Sequence, residues 1–225
     1  MPPRSAFFPL KTLTVRHGNL IPLFSAFSLY TFPSLNTLHL KPDKDIKLKP
    51  NIWFNFDPFM AFLERSSCLL TTLFIEGLSL SDIQLVRLLR HVPTLRDLTI
   101  IDTDIAGSFS PISKQFIESL HTSRTSDLRL EAEPLIPRLH SLTLDTGATA
   151  FRDKVVIDMV RSRWIPSVIS SANGISSSIK EGLPPVDCLR EFTMKFRNRS
   201  NPGDVYEPLD LTEKNGMRLV ITWKK

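Results

Sequence analysis

One hydrophobic spacing recurs six times along the chain and restricts its fold more than any other feature. It reads apolar, two residues, apolar, one residue, apolar, and occurs as Leu10-Leu13-Val15, Leu35-Leu38-Leu40, Leu70-Leu73-Ile75, Leu95-Leu98-Ile100, Leu139-Leu142-Leu144 and Leu189-Phe192-Met194. In extended backbone successive side chains alternate between faces, so the last two apolar residues of each triplet share one side. Four of the six follow a nearby proline, Pro9, Pro33, Pro93 or Pro137, which marks a turn leading into a strand. The first residues of successive triplets lie 25, 35, 25, 44 and 50 residues apart. The shorter spacings hold one strand and one helix, and the longer ones imply inserted helix or loop. No such unit can bury both its strand face and its helix stripe alone, so neighbours must stack.

The fullest unit runs from Ser81 to Ile100, SDIQLVRLLRHVPTLRDLTI. Ile83, Val86, Leu89 and Val92, with Leu85 and Leu88 beside them, predict an amphipathic helix with one broad inward stripe. Ser81 is the expected N-cap, and Gln84 three residues on completes a capping box in which the serine contributes about 1 kcal/mol. Pro93 stops the helix. Leu95-Leu98-Ile100 then follows as a strand with Asp97 and Thr99 on its other side. Together these features predict an α/β fold, a leucine-rich-repeat-like solenoid of irregular repeats with a parallel sheet on the concave side and helices on the convex side. A single domain is expected over residues 1–225. Residues 1–8 are expected to be disordered and 166–187 a mobile loop, because SVISSANGISSSIKEGLPP (167–185) is rich in serine and glycine and fits no period.

Further helices are predicted over Asn19 to Tyr30 with Phe24 and Phe27 inward, and from Pro58 with Asp57 as N-cap and Phe59, Phe62 and Leu63 inward. Others are expected over Ser113 to His121, from an Asp153 N-cap to Trp164, and over Pro208 to Asn215 with Gly216 at the C-terminal cap position. Met217 to Trp223 reads as a closing strand. No polar cap precedes residue 10, so the natural protein is expected to begin earlier than Met1.

Composition excludes several functional classes. At 42% hydrophobic and 23% charged the chain is ordinary globular material. Cys68 and Cys188 offer no disulfide framework and no Cys-x-x-Cys metal signal, and both are expected as buried small apolar groups in a reducing compartment. No apolar run suits a secretory signal or a bilayer span, so the expected location is cytoplasmic or nuclear. The net charge of +5 lies within the first 50 residues, where seven Lys/Arg face two acids, and the rest is balanced at 21 against 21. Lys41, Lys44, Lys47 and Lys49 surround Asp43 and Asp45 in a proline-bracketed stretch that reads as a solvated loop. Arg190, Lys195, Arg197 and Arg199 form a second cluster without interleaved aromatic residues, so nucleic acid is not an expected partner.

The residues that carry chemistry are scattered. The five histidines, His17, His39, His91, His121 and His140, fall roughly one per repeat and match no ligand spacing. No nucleophile elbow, phosphate loop or dinucleotide fingerprint occurs. The carboxylate pairs Asp102 with Asp104 and Glu131 with Glu133 read as solvated loop pairs. The expectation is therefore no enzyme, no catalytic or metal-binding residues, no cofactor and no membrane partner. Binding is better supported, because the inner curve of a stacked sheet presents every second strand residue to a partner. Those positions include Thr12, Thr14 and Arg16; Thr37, His39 and Lys41; Thr72, Phe74 and Glu76; Asp97, Thr99 and Ile101; Ser141, Thr143 and Asp145; and Glu191, Thr193 and Lys195. Thr14, His39, Phe74, Thr99, Ile101, Thr143 and Thr193 are the candidate contacts for an unknown protein. Phe74 and Ile101 stand out as apolar where polar is expected.

FLERSSCLLTTLFI (62–75), LSDIQLVRLLRHVPTLRDLTIID (80–102), LIPRLHSLTL (135–144), FRDKVVIDMVRSRW (151–164) and GMRLVIT (216–222) resemble the leucine-rich-repeat region of F-box-like proteins of mushroom-forming fungi. That resemblance implies an intracellular adaptor of a cullin ubiquitin ligase, in which an F-box docks on a Skp-type linker and the repeats hold the substrate protein. The F-box signature itself is not found in these residues, so the linker is expected as a partner only of a longer parent. The alternative is a stand-alone leucine-rich-repeat scaffold or fragment with no ligase link.

Overall fold

The computed structural model describes residues 6–7, 9–17, 27–42, 56–103, 110–122, 133–164, 186–201 and 203–224. Nine strands are described: β1 (Ala6–Phe7), β2 (Thr12–His17), β3 (Tyr30–Thr31), β4 (Thr37–Pro42), β5 (Thr72–Glu76), β6 (Asp97–Ile101), β7 (Ser141–Thr146), β8 (Glu191–Phe196) and β9 (Arg218–Trp223). Between them lie α1 (Phe56–Ser66), α2 (Asp82–Arg90), α3 (Lys114–Ser119), α4 (Asp153–Arg163), a 3-10 segment η1 (Asp204–Leu209) and α5 (Asp210–Lys214). β1 pairs with β3 in a small parallel sheet. The other seven strands form one sheet in the order β2-β4-β5-β6-β7-β8-β9, every pair parallel. Each strand of this sheet therefore lies beside the one that follows it along the chain.

The last two residues of all six hydrophobic triplets fall on this sheet, and their registers coincide. Leu13, Leu38, Leu73, Leu98, Leu142 and Phe192 oppose one another from strand to strand, continued by Leu219 on β9. From β4 to β8 these residues and the next apolar position, Leu40 through Met194, are buried. They share one core with Phe59 and Phe62 of α1, Leu85, Leu88 and Leu89 of α2, Phe116 and Ile117 of α3, and Val156, Met159 and Val160 of α4. Burying a side chain of this size is worth about 1.5 to 3 kcal/mol.

The backbone repeats as regularly as the side chains. The first two N–H groups leading into β4 both donate to the Lys11 carbonyl, those of β5 to Asn36, of β6 to Thr71, of β7 to Arg96 and of β8 to His140. Each acceptor is the residue just after the first leucine of the preceding triplet. The Arg218 N–H continues the series onto Arg190.

Several local expectations need correction. Ala6 and Phe7, within the stretch 1–8 expected to be disordered, form β1. Helix ahead of β3 ends by Leu29, because Tyr30 is already in that strand. α1 starts at Phe56, so Asp57 lies in its first turn instead of capping it. On α2 the Ser81 and Gln84 capping box forms as expected, with Gln84 N donating to Ser81 Oγ at 3.1 Å and Ser81 N to Gln84 Oε1 at 3.0 Å. Ile83, however, is 67% exposed. At 100° per residue it points almost opposite the stripe centred on Leu85, Leu88, Leu89 and Val92. Arg152, not Asp153, occupies the N-cap of α4. Asp153 is drawn elsewhere, accepting from Tyr206 Oη at 2.8 Å and pairing with Arg199 at 3.4 Å. The last helical stretch splits into η1 and α5 around Pro208, and Gly216 follows it at φ 97°. Cys68 and Cys188 are half-buried instead of buried. The expected 167–185 loop, Glu131, Asp104 and the lysines at 44, 47 and 49 lie outside the described residues.

Candidate functional site

Opposite the core, the sheet presents a face with no helix packed on it among the described residues. Strand alternation and shared register sort its side chains into three rows. The middle row runs Thr14, His39, Phe74, Thr99, Thr143, Thr193 and Val220. Six of the seven candidate contacts thus fall in one line across the sheet. Ile101, the seventh, lies in the row nearer the strands' C-terminal ends, between Glu76 and Asp145, which Lys195 and Thr222 continue. The third row is Thr12, Thr37, Thr72, Asp97, Ser141, Glu191 and Arg218. Thr14 is exposed, whereas His39, Phe74, Thr99, Ile101, Thr143 and Thr193 are half-buried.

The face is uneven in charge. β2 and β4 contribute Arg16 and Lys41 directly opposite each other and no carboxylate at their open-face positions. The Lys41 ammonium stands 4.5 Å from the centre of the Phe74 ring, a cation–π contact, and the His39 ring is 5.6 Å from the same ring. Burial, and after it the charge of Lys41, holds the His39 imidazolium below the ordinary histidine range. From β5 to β8 the face carries Glu76, Asp97 and Glu191 against Lys195; Asp97 accepts from Thr72 Oγ1 at 3.3 Å and Glu191 pairs with Arg218 at 3.7 Å.

Asp145, expected on the open face, is buried instead and belongs to a polar network at the strands' C-terminal ends. At its centre is Asp102, just past β6 and 1% exposed. Its Oδ2 accepts from Ser110 Oγ and from Thr146 Oγ1 at 2.5 Å, and its Oδ1 from Gly147 N at 2.9 Å and Arg197 Nη2. Arg197 Nε lies 3.0 Å from Asp145, and the Asp102 N–H donates to the Asp145 carbonyl at 3.0 Å. The solvated-pair expectation for Asp102 is therefore wrong. A carboxylate offers about four acceptor sites, and four donors already occupy them, so Asp102 has no lone pair left to act as a base. Burial lowers the Arg197 pKa, but its two carboxylate partners keep it in a charged network. Arg197 and Arg199, which look like part of a basic cluster in sequence, are thus committed within the fold. Arg199 is stacked against Phe196 at 4.7 Å and Phe151 at 5.3 Å besides its pairing with Asp153. No local signal marks Arg197, because its partner is 95 residues away.

No group of three or more His, Cys, Asp or Glu suited to a metal ion occurs among the described residues. Among them, too, no helix is long and apolar enough to cross a membrane. Comparison with family models, curated proteins and solved structures finds no match.

Proposed function

We propose that this chain is a leucine-rich-repeat-type solenoid that works as a protein–protein interaction module, binding its partner on the open sheet face and catalysing no reaction. One observation carries this reading: seven strands stacked in chain order with a common register, which turn six scattered candidate residues into one continuous row. A stacked repeat of this kind spends its apolar residues on the core and leaves the opposite face free to vary with the partner. Asp102, read from the sequence as one of a solvated loop pair, is instead saturated by internal donors. The resemblance to fungal F-box-like proteins supports a finer role as the substrate-recognition part of an intracellular ubiquitin-ligase adaptor, with the Skp-type linker held by an F-box in a longer parent.

The test is retention of a partner protein by the wild-type chain and by a Thr99→Arg/Thr143→Arg double variant. Both substitutions lie in the middle row, and neither residue is in the core. The expected result is loss of the partner with unchanged thermal unfolding. Loss on Ile83→Arg, on the outer side of α2, with no loss on the double variant would overturn the reading. Failure of a Skp-type linker to co-purify with the full natural protein would remove the ligase role and leave a stand-alone scaffold.

A further inference from the structure

The open face carries one feature that folding alone does not call for. Arg16 and Lys41 are direct lateral neighbours on β2 and β4. Like charges opposite each other in a sheet are unfavourable, and each strand could carry an uncharged residue there without touching the core. The pair is also held ready. Lys41 is half-buried, with its ammonium 4.5 Å from the Phe74 ring centre, so it has less freedom to lose than a solvated lysine when an anion arrives. His39, two residues before Lys41 on β4 and opposite Thr14, contributes no compensating negative charge. Glu76 on β5 is the nearest carboxylate in the row pattern, and it too is engaged within the fold. Beyond it, the face is mixed: Asp97 accepts from Thr72, Glu191 pairs with Arg218, and Lys195 adds a cation on β8.

We propose that this corner of the open face, built from Arg16, His39, Lys41 and Phe74, receives an acidic, extended segment of a partner protein, with carboxylates seated on Arg16 and Lys41. The proposal rests on the open-face interaction reading above and specifies its partner chemistry. Charge complementarity selects the occupant. Two adjacent cations suit one or two carboxylates, while the mixed charges further along, Asp97, Glu191 paired with Arg218, and Lys195, form no continuous basic stripe, so a nucleic-acid backbone fits this face poorly. A short acidic segment that continues in neutral residues matches the cationic corner on β2 and β4 and the mixed face beyond it.

Fluorescence anisotropy at low salt tests this with labelled peptides of alternating glutamate and alanine, lysine and alanine, or serine and alanine, and with a labelled oligothymidylate. The glutamate peptide should bind at least about tenfold tighter than the serine peptide, and Arg16→Glu/Lys41→Glu should remove that advantage. Phe74→Leu should weaken the glutamate peptide about threefold by freeing Lys41. Should the double reversal fail to fold, Lys41→Ala replaces it, with about a threefold loss expected. Equal binding of glutamate and serine peptides, indifference to the charge substitutions, or tighter binding of oligothymidylate would overturn the proposal. The two readings separate on a retained partner protein. Loss on Thr99→Arg/Thr143→Arg without loss on the charge reversal removes the acidic segment and keeps the open face; retention by both variants removes both.

Discussion

Arg163 offers the sharpest test of how the helical layer is tied to the sheet. It is 0% exposed at the end of α4. Its Nε donates to the Leu120 carbonyl at 2.5 Å, Nη2 to Leu135 at 2.5 Å and Nη1 to Ile136 at 3.2 Å. One planar fork thus joins the end of α3 to the turn before β7. Ile136 itself sits at φ 43°, a left-handed conformation that a β-branched residue resists, and Arg163 holds its carbonyl there. Arg163→Met keeps most of the side-chain volume and removes the donors. Three bonds from a charged group are worth about 4 to 9 kcal/mol at roughly 1.5 to 3 each. Against that, burial pushes the guanidinium pKa down to about 10, a desolvation cost on the order of 3 kcal/mol that methionine avoids. The net loss should be about 3 kcal/mol, or a fall in Tm of about 6 to 12 °C for a chain this long. Arg163→Lys retains the charge but not the fork, so it should lose more than half as much. Urea unfolding at neutral pH measures both. A methionine variant within about 0.5 kcal/mol of wild type would refute the clamp, and full recovery by lysine would show that charge, not fork geometry, is what matters.

Leu98→Ala should cost about 2 to 5 kcal/mol, because Leu98 is 1% exposed in the middle of the core, while Thr99→Ala should stay within about 0.5 kcal/mol; equal effects in chemical unfolding would contradict the division into two faces. Ser81→Ala should lose about 1 kcal/mol through the cap of α2, and a loss below about 0.3 would show that the capping box adds little in this context. Asp102→Asn removes one of the two charges that the three-quarters-buried Arg197 faces, Asp145 remaining, and should cost about 1.5 to 3 kcal/mol by the same unfolding measurement. For His39 the folded-state pKa lies below the unfolded value of 6.5, so the unfolded chain binds more protons there and this residue's contribution to stability is lost as pH falls through 6.5 and below. The Tm difference between wild type and His39→Gln should therefore shift against the wild type between pH 7.5 and pH 5, and a constant difference would refute it.

What the sequence made legible was local. Alternation over five or six residues is enough to place Leu38 and Leu40, or Leu98 and Ile100, on one face, and the structure does so at each triplet from β4 to β8. The Ser81 and Gln84 cap could be read because both partners lie within one turn. Ile83 was misjudged because steps of three residues drift away from the stripe centre, and only the arc through Leu85, Leu88, Leu89 and Val92 faces the sheet. The polar interior was illegible for a different reason. Arg163 finds its carbonyls 27, 28 and 43 residues away, and Asp102 finds Thr146 and Arg197 at 44 and 95. Such partners follow from which strands stack, a property of the whole sheet that no window of sequence contains. Asp145 shows the same limit: alternation puts it outward, yet the Asp102 and Arg197 network closes over it.

The uneven triplet spacings, from 25 to 50 residues, might be expected to disturb the register, and they do not. The reason lies in the backbone. The two N–H groups leading into each strand from β4 to β8 converge on one carbonyl of the preceding unit, contributed in turn by Lys11, Asn36, Thr71, Arg96 and His140. Only the backbone carbonyls of those five residues accept these bonds, so the alignment comes from the main chain and from the leucine next to each acceptor. Inserted length is then accommodated before the strand begins, where it cannot shift the pairing. One consequence is that open-face side chains are free of any duty to set register. Arg16, His39, Phe74 and Thr143 can be exchanged for other residues without shifting the strand register, which is what a variable binding face requires.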